Sequence, residues 1–160
     1  MSPPFRVRPG RDEDAPGIIA LVSACWAEYP GCVMALQDEN PDLLALASHF
    51  EAAGGALWVA EAQDGVVGMI GARPHLGTTW ELCRLYVDAG VRGSGLAASL
   101  VDELEAHVRA AGGTAVELWS DTRFARAHRF YQRMGYAIGA APRPLFDLSN
   151  SWEFHGRKAL

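Results

Sequence analysis

The stretch that decides the fold runs Glu81-Leu82-Cys83-Arg84-Leu85-Tyr86-Val87 and, after a short gap, Arg92-Gly93-Ser94-Gly95-Leu96-Ala97. Its first half lies in an apolar, aromatic-bearing segment over 78–87 that reads as a strand. Its second half opens the strongest helix of the chain, over 95–111. There Leu96, Leu100, Leu104 and Val108 recur at helical spacing, Asp102, Glu103 and Arg109 fall on the other side, and Gly112-Gly113 closes the helix. Between strand and helix, Gly93 and Gly95 allow a tight turn and a close approach of the backbone to a ligand. The first turn of a helix carries amide N–H groups without intrahelical partners, and together with the helix dipole they make a site for phosphate. Arg92 adds a fixed charge. No Gly-Lys-Ser/Thr follows, so this is not a P-loop. No GxGxxG follows the first strand, so a dinucleotide-binding fold has no support.

Outward toward the N-terminus, 5–8 alternates as a short strand broken by Gly10. Asp12 is expected to cap a first helix, with Asp14 and Pro16 in its first turn. Ile18, Leu21, Val22, Cys25, Trp26 and Tyr29 share one face, and Pro30-Gly31 ends it. A second helix is expected over 41–53, with Leu43, Leu44, Leu46, Ala47 and Phe50 apolar. Strands over 56–62 and 66–72 flank a hairpin turn at Asp64-Gly65. Toward the C-terminus come a strand over 115–119, a short helix over 124–134 with Gly135 as its cap, a strand over 136–140 and a last strand within 151–158. The expected architecture is α/β: a twisted, mixed, mostly antiparallel sheet of about six to seven strands flanked by about four helices, in one domain over 1–160.

Composition narrows the function classes. The 160 residues are 49% apolar and 21% charged, a globular balance. The net charge of −5 disfavours nucleic acid and anionic membrane surfaces as partners. No apolar run reaches the roughly 18–20 residues of a membrane helix, and the N-terminal residues lack a signal-peptide core. Cys25, Cys32 and Cys83 are odd in number and form no CxxC, which favours a reducing cytoplasm over a disulfide framework. The five histidines show no paired metal spacing, so no metal is expected.

Arg92-x-x-Gly95-x-Ala97 resembles the Arg/Gln-x-x-Gly-x-Gly/Ala signature of the GNAT family of N-acetyltransferases, and it follows a strand like that family's. Ala127-His128-Arg129-Phe130-Tyr131-Gln132-Arg133-Met134-Gly135-Tyr136 is similar to the family's Ala-x-x-x-Tyr-x-x-x-Gly-Phe/Tyr segment. The order of elements agrees along nearly the whole chain. The resemblance implies acetyl-coenzyme A as co-substrate, with Arg92, Gly93, Ser94, Gly95, Leu96 and Ala97 on the pyrophosphate. It implies that the strand residues Leu85, Tyr86 and Val87 lie along the pantetheine, Leu85 and Val87 through their main chains. One departure stands out: Phe124 occupies the place of a frequent family Asn, where Thr122 or Arg123 would have to substitute.

Acyl transfer to an amine requires a neutral nucleophile and a proton for the departing thiolate. Tyr131 matches the family's general acid. Glu81 lies at the register of the general base in some members, with Asp121 a second candidate. Cys83 is read as a packing residue and not a nucleophile, and His128 as a packing or hydrogen-bonding residue. The expected activity is direct transfer of acetyl to the primary amine of a small molecule. Alternatives are a catalytically silent acyl-CoA-binding regulatory module and a protein or peptide N-acetyltransferase. Trp26, Tyr29 and Glu39 are expected to meet the acceptor; Arg73, His75 and Arg84 would suit a carboxylate instead. Trp26, Tyr29, Trp80, Trp119 and Trp152 are otherwise assigned mostly to the core. A homodimer is compatible with the resemblance.

Overall fold

A computed structural model of the protein describes residues 4–160. Eight strands form one sheet in the order β1-β2-β3-β4-β5-β8-β6, with β7 also on β8. They are β1 (Arg6–Pro9), β2 (Ala56–Ala62), β3 (Gly65–Pro74), β4 (Thr79–Val87), β5 (Ala115–Asp121), β6 (Ala137–Ile138), β7 (Arg143–Pro144) and β8 (Trp152–Ala159). The helices are α1 (Ala15–Ala27), α2 (Leu36–Glu39), α3 (Leu46–Ala52), α4 (Leu96–Ala110) and α5 (Ala125–Arg133). The elements beyond those expected are the one-turn α2 and the two-residue β7, both too short to leave a periodic trace. The strand expected over 136–140 contracts to β6.

Alternation along the strands sends side chains to two cores. On one face, Trp58, Ala60, Ile70 and Leu82 pack with Leu96, Leu100, Leu104 and Val108 of α4 and with Tyr131 and Tyr136. On the other, Leu57, Val59 and Met69 pack with Ile18, Leu21 and Val22 of α1 and with Leu43, Leu46 and Phe50. Trp26, Tyr29 and Trp119 are only half-buried and Trp152 is exposed, so of the aromatic residues assigned to the core Trp80 alone is buried.

Two local expectations change. The helix expected over 41–53 is a 3-10 turn over Pro41–Ala45 followed by α3, because the backbone at Ala45 breaks to φ −149°, ψ 58°. Asp12 does not cap α1; it accepts from Ser48 N at 2.9 Å and from the Ser48 hydroxyl, capping α3 across space. Asp14, the N-cap residue of α1, makes no side-chain bond to that helix; it accepts from Arg11 N at 2.8 Å, closing the 3-10 turn Asp12–Asp14, and from Arg8 at 2.9 and 2.7 Å.

Two features of β4 open the molecule. Its pairing with β5, the only parallel pair among the described residues, runs from Thr79↔Ala115 to Leu82↔Leu118 and stops, although both strands continue. The two strands part beyond that point. On the β3 side, the register slips between Met69↔Tyr86 and Gly71↔Cys83, which leaves one extra residue on β4. Arg84 takes it up at φ 56°, a conformation that costs a non-glycine residue about 1–3 kcal/mol and that clusters at functional sites.

Candidate active site

The gap between β4 and β5 holds two cavities that meet. The smaller, about 230 Å³, lies toward the start of α4 and is lined by Val87, Arg92, Gly93, Ala97, Arg126 and Arg133 among others. The larger, about 640 Å³, lies toward β7, β8 and the loop before them. Trp26, Leu85, Tyr86, Phe124, Ala127 and Tyr131 line both. The junction is therefore where a reacting group carried in one cavity can reach a molecule held in the other.

The loop at the mouth of α4 has the properties a phosphate requires. Gly93 and Gly95 sit at φ 78° and 85°, and a Cβ on either would meet nothing within 4 Å, so their outer faces are open. Gly95 is the N-cap of α4, leaving the first-turn amides free of intrahelical partners. The residues present fit a pyrophosphate held by main chain. The Arg92 side chain turns elsewhere: its guanidinium meets Glu28 of the α1 C-cap at 2.7 and 2.5 Å, and that contact holds the Glu28 carboxyl below the usual carboxylate range. Arg126 and Arg133 supply positive charge to this cavity and no carboxylate lines it. Sequence reading missed both, since they lie on a helix whose facing was not known. Thr122 and Arg123, named as substitutes for the missing Asn, do not line the smaller cavity. Arg123 is bound instead to Asp121, Cys32 and the Ser149 carbonyl. Phe124 lines both cavities, with Tyr29 packed on it at 4.7 Å.

Beyond Leu82 the β5-facing edge of β4 has no strand partner, so main-chain groups at Leu85–Val87 are available to an extended ligand in the manner of an added strand. The Val87 carbonyl receives a weak 3.6 Å bond from the Cys25 thiol. The Tyr86 hydroxyl accepts from Trp26 Nε1 at 2.9 Å, which fixes both rings at the junction.

Tyr131, on α5, is 6% exposed and borders both cavities. Burial, with Tyr86 and Cys83 nearby, pushes its phenol well above the ordinary tyrosine value, so it stays protonated and able to donate. Cys83 is pushed up to about 12 by burial and by the Glu81 charge, which removes it as a thiolate nucleophile at neutral pH.

The larger cavity gathers carboxylates. Glu81 lines it, with its Oε2 accepting from Arg73 at 3.1 and 3.0 Å. Asp121 accepts from Arg123 N at 2.8 Å. Glu153 of β8 is the register partner of Asp121 and accepts from Arg143 at 3.2 Å. Arg143 in turn lies over the Trp119 ring, 3.4 Å from its centroid. Of the residues expected to meet the acceptor, Trp26 and Glu39 line this cavity, and Glu39 also accepts from Leu148 N at 2.8 Å. Tyr29 does not; it lines the smaller one. Arg73 and Arg84 are bound by the chain's own carboxylates, Glu81 and Asp42, and His75 lies 3.2 Å from Glu117. Neither arginine stands free for an incoming carboxylate. His128 meets Ser120 Oγ at 3.1 Å and stacks on Phe154, as a packing residue does. Glu153 and Arg143 went unnoticed in the sequence, because their link to Asp121 runs through the pairing of strands far apart in the chain.

The model of the acetyltransferase (GNAT) family matches residues 18–136. The chain belongs to that family. Human N-acetyltransferase 8 is 32% identical over 126 residues, 76% of this chain and 54% of that protein. Blasticidin-S acetyltransferase of Streptomyces morookaense is 37% identical over 78 residues, 46% of this chain and 52% of that one. The chain thus spans about half the length of these curated relatives. An acetyltransferase of the GNAT family from Staphylococcus aureus superimposes with a TM-score of 0.81 at 19% identity, covering 98% of this chain and 99% of that one. An acetyltransferase from Salmonella typhimurium solved with its cofactor acetyl-CoA superimposes with a TM-score of 0.74 at 18% identity, covering 98% of this chain and 94% of that one. The expected fold is therefore borne out. Among the described residues no helix is long and apolar enough to cross a membrane, and no group of three or more metal-ligating side chains comes together.

Proposed function

We propose that the protein is an acetyl-coenzyme A-dependent N-acetyltransferase acting on the primary amine of a small molecule. The observation that carries this is the polarity of two joined cavities. The smaller has Arg126 and Arg133 in its lining and no carboxylate, which suits the phosphates of coenzyme A. The larger sets Glu39, Asp42, Glu81, Asp121, Asp147 and Glu153 against Arg73, Arg84 and Arg143, which suits a cationic amine. A volume of about 640 Å³ is that of a small-ligand pocket. The similarity to an enzyme named for blasticidin S supports the same class of acceptor.

When bound, acetyl-coenzyme A supplies an activated acyl thioester. On this reading, Gly93 to Ala97 hold its pyrophosphate through main-chain N–H groups, and Leu85 to Val87 align the pantetheine arm along the free edge of β4. Tyr131, protonated at neutral pH, gives its phenolic proton to the departing sulfur. Glu81, Asp121 and Glu153, which line the larger cavity, are the candidates to take a proton from the acceptor's ammonium. The Cys83 thiol, pushed up to about 12 by burial and the Glu81 charge, is a poor nucleophile at neutral pH, which supports direct transfer within a ternary complex.

The test is thiol release from acetyl-coenzyme A with spermidine, kanamycin, L-aspartate and a lysine-rich peptide at equal concentration. Multiple turnovers with a small amine are expected. Binding of the cofactor without turnover on any of them contradicts the reading in favour of a silent module, and turnover with the peptide alone contradicts the acceptor class.

A further inference from the structure

We propose that Glu153, on the last strand, is the group that takes the proton from the acceptor's ammonium, and that Glu81 is not. This rests on the acetyltransferase reading above.

The geometry separates the two carboxylates. Glu81 accepts two charge-assisted bonds from Arg73 on one oxygen, a forked pairing that fixes the side chain. Glu153 has one long bond, 3.2 Å, from an Arg143 guanidinium that also lies over Trp119. Its side chain is 17% exposed and opens into the larger cavity, whose lining also includes Tyr131. It is the register partner of Asp121, and two carboxylates directly opposite across a strand pair repel. The groups facing Glu153 are Asp121 from β5, Glu81 from β4 and Arg143 from β7. Behind them, Arg123 is bound to Asp121, Arg73 to Glu81, and His155 of its own strand to Glu117. Burial, then the charges of Asp121 and Glu81, push the Glu153 carboxyl above the ordinary glutamate value, while Arg143 pulls it down. A carboxylate made more basic in a cleft, and held loosely, is suited to general-base work near neutral pH.

The proton balance is simple. The ammonium R-NH3+ gives one proton to the Glu153 carboxylate and becomes the neutral nucleophile. The C–N bond forms, the C–S bond breaks, the sulfur takes the Tyr131 proton, and the second amine proton leaves to refill the tyrosine. Glu153 then returns its proton to solvent.

The test is the pH profile of kcat/KM for thiol release, measured with whichever of spermidine, kanamycin and L-aspartate the wild type turns over fastest. Glu153→Gln preserves the acceptor for the Arg143 bond. It is expected to lower kcat/KM about 10²–10⁴-fold and to abolish the acidic limb. Glu81→Gln is expected to keep that limb. Arg143→Met removes the cation that pulls Glu153 down, so the limb should move to higher pH, a displacement that a merely structural role of Glu153 does not produce. A limb unmoved in Glu153→Gln but lost in Glu81→Gln, or unmoved in Arg143→Met, overturns the assignment. A wild type inactive on all three amines overturns the small-amine reading on which the assignment rests, and the assignment with it.

Discussion

Gly95 carries the clearest single-residue consequence. It caps α4 in the left-handed region with open space where a Cβ would stand. In Gly95→Val that space is filled and the backbone is strained by about 1–2 kcal/mol. Calorimetric titration of the folded variant with coenzyme A should give a Kd raised more than tenfold, about 1.4 kcal/mol. An unchanged Kd would remove the pyrophosphate from this loop. Arg8 makes a different case, one of stability. Its guanidinium binds Asp14 and Glu61 and ties β1, β2 and the start of α1 together. The Arg8 bond holds the Asp14 carboxyl below its ordinary value. A folded value below the unfolded one contributes stability above the unfolded pKa, near 3.9, that is lost as pH falls through the folded value. Asp14→Asn should therefore lower stability at pH 7 by about 1 kcal/mol after solvent screening. The gap to wild type should narrow below about pH 4 in urea melts. A gap independent of pH would show that the bond's geometry, not its charge, matters.

At the scale of elements, legibility follows the range of the interactions. The strand over 78–87, the turn at Gly93 and Gly95, and α4 were legible because apolar period, glycines and helix stop all lie within one stretch of chain. The capping of α3 by Asp12 was not, because it joins residues 36 apart. Nor was the parting of β4 from β5, which depends on where pairing ends rather than on what either strand contains. Tyr131 could be named from its segment, whereas Glu153 came to light only once β8 was seen against β5. The joint between α3 and β3 is equally non-local and can be tested. A Cβ at Gly71 would stand 2.3 Å from Phe50, which is 2% exposed. Gly71→Ala must displace that ring or the strand, at a cost of about 1–3 kcal/mol. A midpoint in denaturant unchanged from wild type would mean that α3 yields freely.

The molecule as a whole is organised around the junction of a basic cavity and an acidic one. One sheet, parted between β4 and β5, opens one cavity toward the start of α4, where we propose the cofactor lies, and another toward β7 and β8, where we propose a cationic acceptor lies. Six residues border both cavities, and Tyr131 alone among them carries a free, protonated phenol; that of Tyr86 is bound by Trp26. One substitution at Tyr131 tests this junction directly. Tyr131→Phe removes a single oxygen and leaves the ring packed. The measurement is kcat for acceptor-dependent thiol release, in variant protein that binds coenzyme A as tightly as the wild type. A fall of about 10²–10⁴-fold is predicted. A kcat within about twofold of wild type would contradict the claim that chemistry is done at this junction by this acid.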